Sequence, residues 1–233
     1  MNVFSQLLKK ILNKSSRFII SIIEKDINYV RKLYALNATV KYIENNMYEI
    51  PSVNSKERVH ELAIDNIIIK DGLVLEFGVH TGYTINFISK KLNNYNVYGF
   101  DSFEGLPEFW RDGFTEGCFA VSKLPSVSEN VTLVKGWFDE TLPSFVEANT
   151  NKKISYLHID CDLYSSTNTI FALLEHNIVK GTVIVFDEYF NYPSWEHGEF
   201  KAFKEFIDKT KKEYRYITYN SKHEQVAIII TKE

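Results

Sequence analysis

Four carboxylates fall in two short clusters: Asp160 and Asp162 in the run Ile159-Asp-Cys-Asp-Leu163, and Asp187 and Glu188 in Phe186-Asp-Glu-Tyr189. Each cluster ends a β-type run, Ile154–Asp160 and Thr182–Asp187. If those strands are parallel neighbours, both C-terminal ends open on one crevice and three or four carboxylates converge there. Like charges that close repel and raise one another's pKa. A divalent cation relieves the repulsion, and hard oxygen donors in this number suit Mg²⁺. The rival arrangement is a metal-free site in which one carboxylate or His158 acts as the base. Asp162 could instead cap the helix that follows or bind a loop. His80 and His197 are further candidate bases, each equally readable as an ordinary structural or surface histidine.

A second constellation lies upstream, in Glu76-Phe-Gly78-Val-His-Thr-Gly82-Tyr-Thr84. Glycines at a strand-to-helix turn let the backbone approach a ligand closely, and the next helix offers free N–H groups to an anion such as a carboxylate. Asp101 ends the following strand, 23 residues beyond Gly78, where an acidic side chain can accept hydrogen bonds from both ribose hydroxyls of an adenosyl group. Taken singly, the glycine spacing also fits a plain turn, and Asp101 also fits a cap toward Ser102. The dinucleotide fingerprint G-x-G-x-x-G is not met, because His80 stands where its second glycine would be.

Strands must place these groups at one edge, and the rest of the chain supplies them. The expected strands are Leu73–Phe77, Asn96–Asp101, Val131–Val134, Ile154–Asp160 and Thr182–Asp187. Expected helices start at Lys56 (with Asn54 or Ser55 as cap) and run over Thr84–Leu92, about Ser165–Val179, and Glu199–Thr210. Strands alternating with helices imply a parallel sheet. Two last strands, Tyr214–Tyr219 and Gln225–Ile230, are joined by a five-residue turn and read as a hairpin. The predicted fold class is therefore α/β: a Rossmann-like, mostly parallel seven-stranded sheet with an antiparallel C-terminal hairpin strand and helices on both faces. A soft boundary near Pro51–Asn54 divides an N-terminal helical region, 1–53, from the main domain, 54–233.

Bulk properties narrow the partners. A net charge of −3 and a pI near 6.1 argue against nucleic acid, whose binding draws on clustered Lys and Arg. A small molecule fits better. Two cysteines, Cys118 and Cys161, imply no disulfide framework and point to a reducing, cytoplasmic setting. The first 25 residues are too interrupted by polar side chains to span a bilayer and lack a signal-peptide pattern. Phe4, Leu7, Leu8, Ile11 and Leu12 have amphipathic helical spacing, suited to packing on the domain or on a second copy, or to weak contact with a membrane surface.

Five stretches in order carry a family resemblance: Leu75-Glu-Phe-Gly78-Val-x-x-Gly82; Gly99-Phe-Asp-Ser-Phe-Glu-Gly-Leu-Pro107; Lys135-Gly-Trp-Phe138-x-x-Thr-Leu-Pro143; Ile159-Asp-x-Asp-Leu-Tyr164-x-Ser-Thr167; and Phe186-Asp-Glu-Tyr189. Together, over roughly Ser55–Thr231, they resemble the macrocin O-methyltransferase (TylF-like) family of class I S-adenosylmethionine-dependent methyltransferases. The resemblance implies that Glu76, Gly78 and Gly82 shape the methionine end of the cofactor pocket, with Thr84 near the methionine carboxylate. It implies that Asp101 holds the ribose with Ser102 beside it, and that Gly136, Trp137 and Phe138 border the adenine. It implies Mg²⁺ ligands at Asp160, Asp187 and Glu188, although the family commonly has Asp where this chain has Glu188.

The implied reaction is in-line methyl transfer from a sulfonium to an acceptor hydroxyl, of a sugar or glycosylated natural product by preference. Asp160, Asp187 and His158 are the candidates for catalysis. The segment Tyr189–Glu199 looks like a substrate-pocket wall, and Glu104–Ser128 looks like a lid. Two other classes share features of this pattern. A nicotinamide oxidoreductase lacks its glycine pattern here and any Tyr-x-x-x-Lys dyad. A non-catalytic adenosyl-binding or partner module, in which the N-terminal helices dominate function and the carboxylates are merely tolerated, stands as the alternative; association into a homo-oligomer through those helices is a separate expectation.

Overall fold

The computed structural model describes residues 26–233. The amphipathic segment Phe4–Leu12 and its suggested role in association lie outside the described residues. In chain order the elements are α1 (Ile27–Asn46), β1 (Ser52–Val53), α2 (Lys56–Asp65), β2 (Leu73–Phe77), α3 (Tyr83–Lys91), β3 (Val97–Asp101) and β4 (Val131–Lys135). Then follow α4 (Phe138–Ala148), β5 (Ile154–Ile159), α5 (Tyr164–Leu174), β6 (Val183–Phe186), a 3₁₀ turn (Trp195–His197), α6 (Glu199–Thr210), β7 (Glu213–Asn220) and β8 (Val226–Lys232).

One sheet contains all the strands, in the order β1-β7-β8-β6-β5-β2-β3-β4. The seven expected strands are present, and the two-residue β1 adds an eighth at the edge. Only β8 runs against the rest: it pairs antiparallel with β6 and with β7, while β1 pairs parallel with β7. It follows that β1, β7 and β6 point the same way, so the chain leaving β1 emerges at the same edge as the ends of β2, β3, β5 and β6. That edge collects Lys56, Gly78, Asp101, Asp160 and Asp187.

Both faces of the sheet are covered, which is why its central strands read as nearly unbroken apolar runs. On one face Leu75, Phe77, Leu157, Ile159, Ile184 and Phe186 pack with α4, α5, α6 and the inner side of α1. On the other, Val74, Val97, Tyr156, Val183 and Val185 pack with α2 and α3. Each fully buried aliphatic or aromatic side chain contributes roughly 1.5–3 kcal/mol over exposure, so the exceptions stand out. Glu76 and His158 are buried mid-strand on β2 and β5 and are register partners across the two strands.

Local signals explain most boundaries. Ser55 Oγ accepts the Arg58 N–H at 3.3 Å and starts α2. The α5 helix stops at Leu174, short of the expected Val179. The reason is Asn177: its carbonyl accepts the Ile154 N–H at 3.0 Å, and its side chain donates to the Asn149 and Lys152 carbonyls, tying the chain to the start of β5. The α4 helix, which carries Pro143 inside it, is an addition to the expected elements.

Candidate functional site

The glycine turn after β2 is shaped by close approach. Gly78 has φ +93°, and a Cβ there would lie 1.7 Å from the Asp160 carbonyl oxygen, so the turn can lie flat against the end of β5 only with glycine. Gly82, in the left-handed region at φ 81°, caps α3, whose first residues Tyr83 and Thr84 line the crevice. Asp101 braces this turn from β3: Oδ2 accepts the Val79 and His80 N–H groups at 2.8 and 2.7 Å, and Oδ1 accepts the Phe103 N–H at 2.6 Å. A carboxylate offers about four acceptor positions, so Asp101 can hold its loop and still take a ribose hydroxyl. Ser102 Oγ beside it accepts the Glu104 N–H.

These residues line a cavity of about 750 Å³ that also reaches Trp137, Phe138, Asp160, Asp162, Asp187, Glu188 and Lys56. The volume is within the range of cofactor and small-molecule sites. Of the sequence-predicted cofactor residues, Gly78, Thr84, Asp101, Ser102, Trp137 and Phe138 line this space. Glu76, Gly82 and Gly136 do not; Glu76 lies below it, turned toward His158.

Two expectations about the walls change. Tyr189, Phe190, Tyr192 and Trp195 are buried in the core, Trp195 edge-on to Tyr42 of α1, and leave the cavity wall to others. Aromatic character made that segment look like a binding surface, but the same rings serve to seat α1 on the sheet. The cavity's rings come instead from the segment after β3: Trp110, Phe114 and Phe119. Asp162 does not cap α5: the N-cap is Leu163, without a side-chain bond, and Asp162 (φ 65°) turns its carboxylate toward the cavity.

At the acid end, oxygen atoms of Asp160, Asp187 and Glu188 lie within 4.8 Å of one another. Lys56, the first residue of α2, comes between two of them. Its Nζ donates to Asp160 Oδ2 at 3.0 Å and lies 2.7 Å from Asp187 Oδ1, a tight ion pair whose angle is poor for a hydrogen bond. Burial works against the Lys56 charge, but Asp160 and Asp187 outweigh it and raise the pKa above its ordinary value, so Lys56 is an ammonium. Despite its burial, Asp187 is held well below the usual carboxylate range by His158 and Lys56. Burial and the charge of Asp187 push Glu188 well above that range. The same two causes raise Asp160.

The carboxylate trio has the spacing for Mg²⁺, but a dication needs the same oxygens that Lys56 holds. With the ammonium in place the residues do not fit a Mg²⁺ ion. Lys56 was not singled out from the sequence. Its signal was there, in a lysine in the first turn of a capped helix, where the helix dipole disfavours a cation.

His158 is fully buried and cannot touch an acceptor in the cavity. Nδ1 meets Glu76 Oε2 at 3.1 Å, while Nε2 lies 3.8 Å from Asp187 Oδ1 and 3.9 Å from Asp160 Oδ2. Burial would lower its pKa, but Asp187 and Glu76 prevail and hold it at about 9. His158 therefore stands behind the carboxylates. His60 of α2 packs edge-on against it at 4.6 Å between ring centroids and bonds Tyr156 through Nδ1. His80 borders the cavity, and His197 sits in the 3₁₀ turn away from it.

Comparison with known proteins agrees with this arrangement. Residues 75–189, from β2 to just past β6, match the family model described as a methyltransferase domain. The chain has the Rossmann-like fold of class I methyltransferases: it is similar to CalS11, a calicheamicin methyltransferase, at TM-score 0.58 and 20% identity over 84% of this chain and 91% of that one. It is also similar to the O-methyltransferase NovP, at TM-score 0.56 and 20% identity over 87% and 100%. An apo structure described as CalS11, TDP-rhamnose 3'-O-methyltransferase, gives 0.53 and 18% over 88% and 95%. No curated protein matches. Lys56 lies outside the matched domain segment. Among the described residues no helix is long and apolar enough to cross a membrane.

Proposed function

We propose that this methyltransferase domain uses S-adenosylmethionine to methylate a hydroxyl of a small molecule, with a sugar or glycosylated natural product as the acceptor class. The observation that carries the reading is the single cavity joining two unlike halves. One half has the glycine turn, the α3 N-terminus, Asp101 and the flat faces of Trp137 and Phe138; the other has the carboxylates of Asp160 and Asp187.

The first half fits the cofactor on its own evidence. Gly78 lets the turn lie flat against the end of β5 and so brings its backbone to the crevice wall, the α3 N–H groups suit a carboxylate, and Asp101 keeps acceptor capacity for a ribose. When bound, S-adenosylmethionine supplies a methyl group on an electrophilic sulfonium. Thr84 and the α3 terminus would hold its amino-acid end, Asp101 and Ser102 its ribose, and Trp137 and Phe138 its base.

The chain's own work on the acceptor is to orient a hydroxyl and take its proton. Asp160 is the group placed for that, since its side chain is about a quarter exposed to the cavity whereas Asp187 is nearly closed off. His158, bonded to Glu76, stands behind the carboxylates and favours their charge. The sugar preference is supported by the acceptor named for CalS11 and by the rings of Trp110, Phe114 and Phe119, which suit a sugar face. Titration calorimetry with S-adenosylmethionine, followed by a screen of hydroxylated sugars for release of S-adenosylhomocysteine, tests it. Binding plus turnover supports the proposal; a folded protein with neither refutes it.

A further inference from the structure

The carboxylate pair at the ends of β5 and β6 has to be neutralised by something, and the fold spends two of its elements on delivering a lysine there. The β1 strand is only two residues long, yet its parallel pairing with β7 (Ser52 to Tyr219, Val53 to Asn220) sends the chain out at the sheet edge that holds Asp160 and Asp187. Ser55 then turns that chain into α2, and Lys56 is the helix's first residue. A cation at a helix N-terminus is disfavoured by the dipole, and burying an ammonium costs more. A residue that breaks two local preferences is held by what it contacts. Those contacts are Asp160 Oδ2 at 3.0 Å and Asp187 Oδ1 at 2.7 Å.

We infer that Lys56 is the site's built-in cation: its ammonium stands between Asp160 and Asp187 where a divalent metal would otherwise bind, and it positions the two carboxylates for proton transfer without metal. This rests on the methyltransferase reading of the cavity only for the proton transfer; the exclusion of metal stands on the ion pairs. The vacancy that a shortened side chain would create is well furnished with donors. Asp187 Oδ1 and Glu188 Oε2 are buried without a hydrogen-bond partner, and Asp160, Asp187 and Glu188 already have a ligand spacing. One ammonium N–H is donated to Asp160, and Lys56 also borders the cavity, so a further N–H is available to an acceptor oxygen.

The test is Mn²⁺ binding by the full chain, read by electron paramagnetic resonance, for wild type, Lys56→Met, Lys56→Gln and the double variant Lys56→Met/Asp187→Asn. Wild type is expected to bind no Mn²⁺ at this site. The Lys56 variants should gain one ion per chain with at least about 100-fold higher affinity, because a neighbouring like charge has been removed from a partly buried site. The double variant should lose that ion again. Wild type binding one Mn²⁺ that Asp187→Asn abolishes would overturn the inference. So would folded Lys56 variants that gain nothing. Lys56→Gln keeps the comparison open if Lys56→Met fails to fold, and the wild-type arm needs no variant. Calorimetry with S-adenosylmethionine on the same samples separates the two readings: lost cofactor binding counts against the methyltransferase proposal, whatever the Mn²⁺ signal shows.

Discussion

His158 and Glu76 face each other across β5 and β2, Nδ1 to Oε2 at 3.1 Å, with neither side chain exposed to solvent. Isolated buried charges are costly, and this pair persists because His158 also lies near Asp187 and Asp160. Lys56 and His60 complete the group of charged and titratable side chains around it.

The pair makes stability depend on pH in a defined direction. The folded-state pKa of His158, about 9, lies above its ordinary value of 6.5. Protonated His158 therefore contributes stability that is fully present below about pH 6.5 and lost as pH rises through about 9. The contribution is on the order of 3 kcal/mol. Urea unfolding of wild type should show this decline, and His158→Gln should have a flatter profile over the same interval. Equal slopes for the two proteins would reject the assignment.

Asp101 is expected to serve both its loop and the cofactor. In Asp101→Asn one acceptor oxygen becomes an NH₂ that meets a backbone N–H of Val79, His80 or Phe103. An unpaired buried donor costs roughly 1–3 kcal/mol. S-adenosylmethionine affinity should fall by about tenfold or more, with a lower melting temperature. Unchanged affinity in calorimetry would mean that Asp101 only braces the turn.

Asp160 and Asp187 should separate by role. Asp160→Asn removes the proton acceptor and should lower kcat by about 10²–10⁴-fold, while the Kd for S-adenosylmethionine changes by no more than a few-fold. If Asp160→Asn retains full kcat with an acceptor that wild type turns over, another group takes the proton.

Much of this site is legible in the sequence. The strand ends, the glycine turn and the carboxylates were readable because each is a local event: a β-run stops and a special residue follows. The hairpin with its one antiparallel strand was readable from two apolar runs close in sequence. Lys56 was not, because its meaning depends on β1, a strand too short for periodicity, pairing with a strand more than 160 residues later. The Tyr189–Trp195 segment misled for the opposite reason: aromatic rings that line a pocket and aromatic rings that seat a helix have the same composition. The Glu76–His158 pair shows as two charged letters in apolar strands, but only register reveals that they meet.

The segment between Glu104 and Ser128 provides the last prediction. It folds over the cavity through its own backbone bonds, Leu106 N–H to the Cys118 carbonyl and Val121 N–H to the Phe103 carbonyl. Its one long-range clasp to the C-terminal hairpin is Arg111, which donates to both carboxylate oxygens of Glu224 at 3.1 Å. Its guanidinium lies 3.7 Å from the Trp110 ring centre and 4.9 Å from that of Tyr192. Because Arg111 is partly buried, removing either partner strands the other, so Arg111→Met and Glu224→Gln should each loosen the segment. Protease cutting between Glu104 and Ser128 should be faster in each variant by about tenfold, equivalent to about 1.4 kcal/mol of local opening. The double variant should be no worse than the more affected single one, as for two members of one interaction. S-adenosylmethionine should slow cutting in wild type, since Gly105, Leu106 and Trp110 form part of the cavity wall. Additive effects in the double variant would show that Arg111 and Glu224 act apart, and cutting indifferent to the cofactor would show that the segment does not close over it.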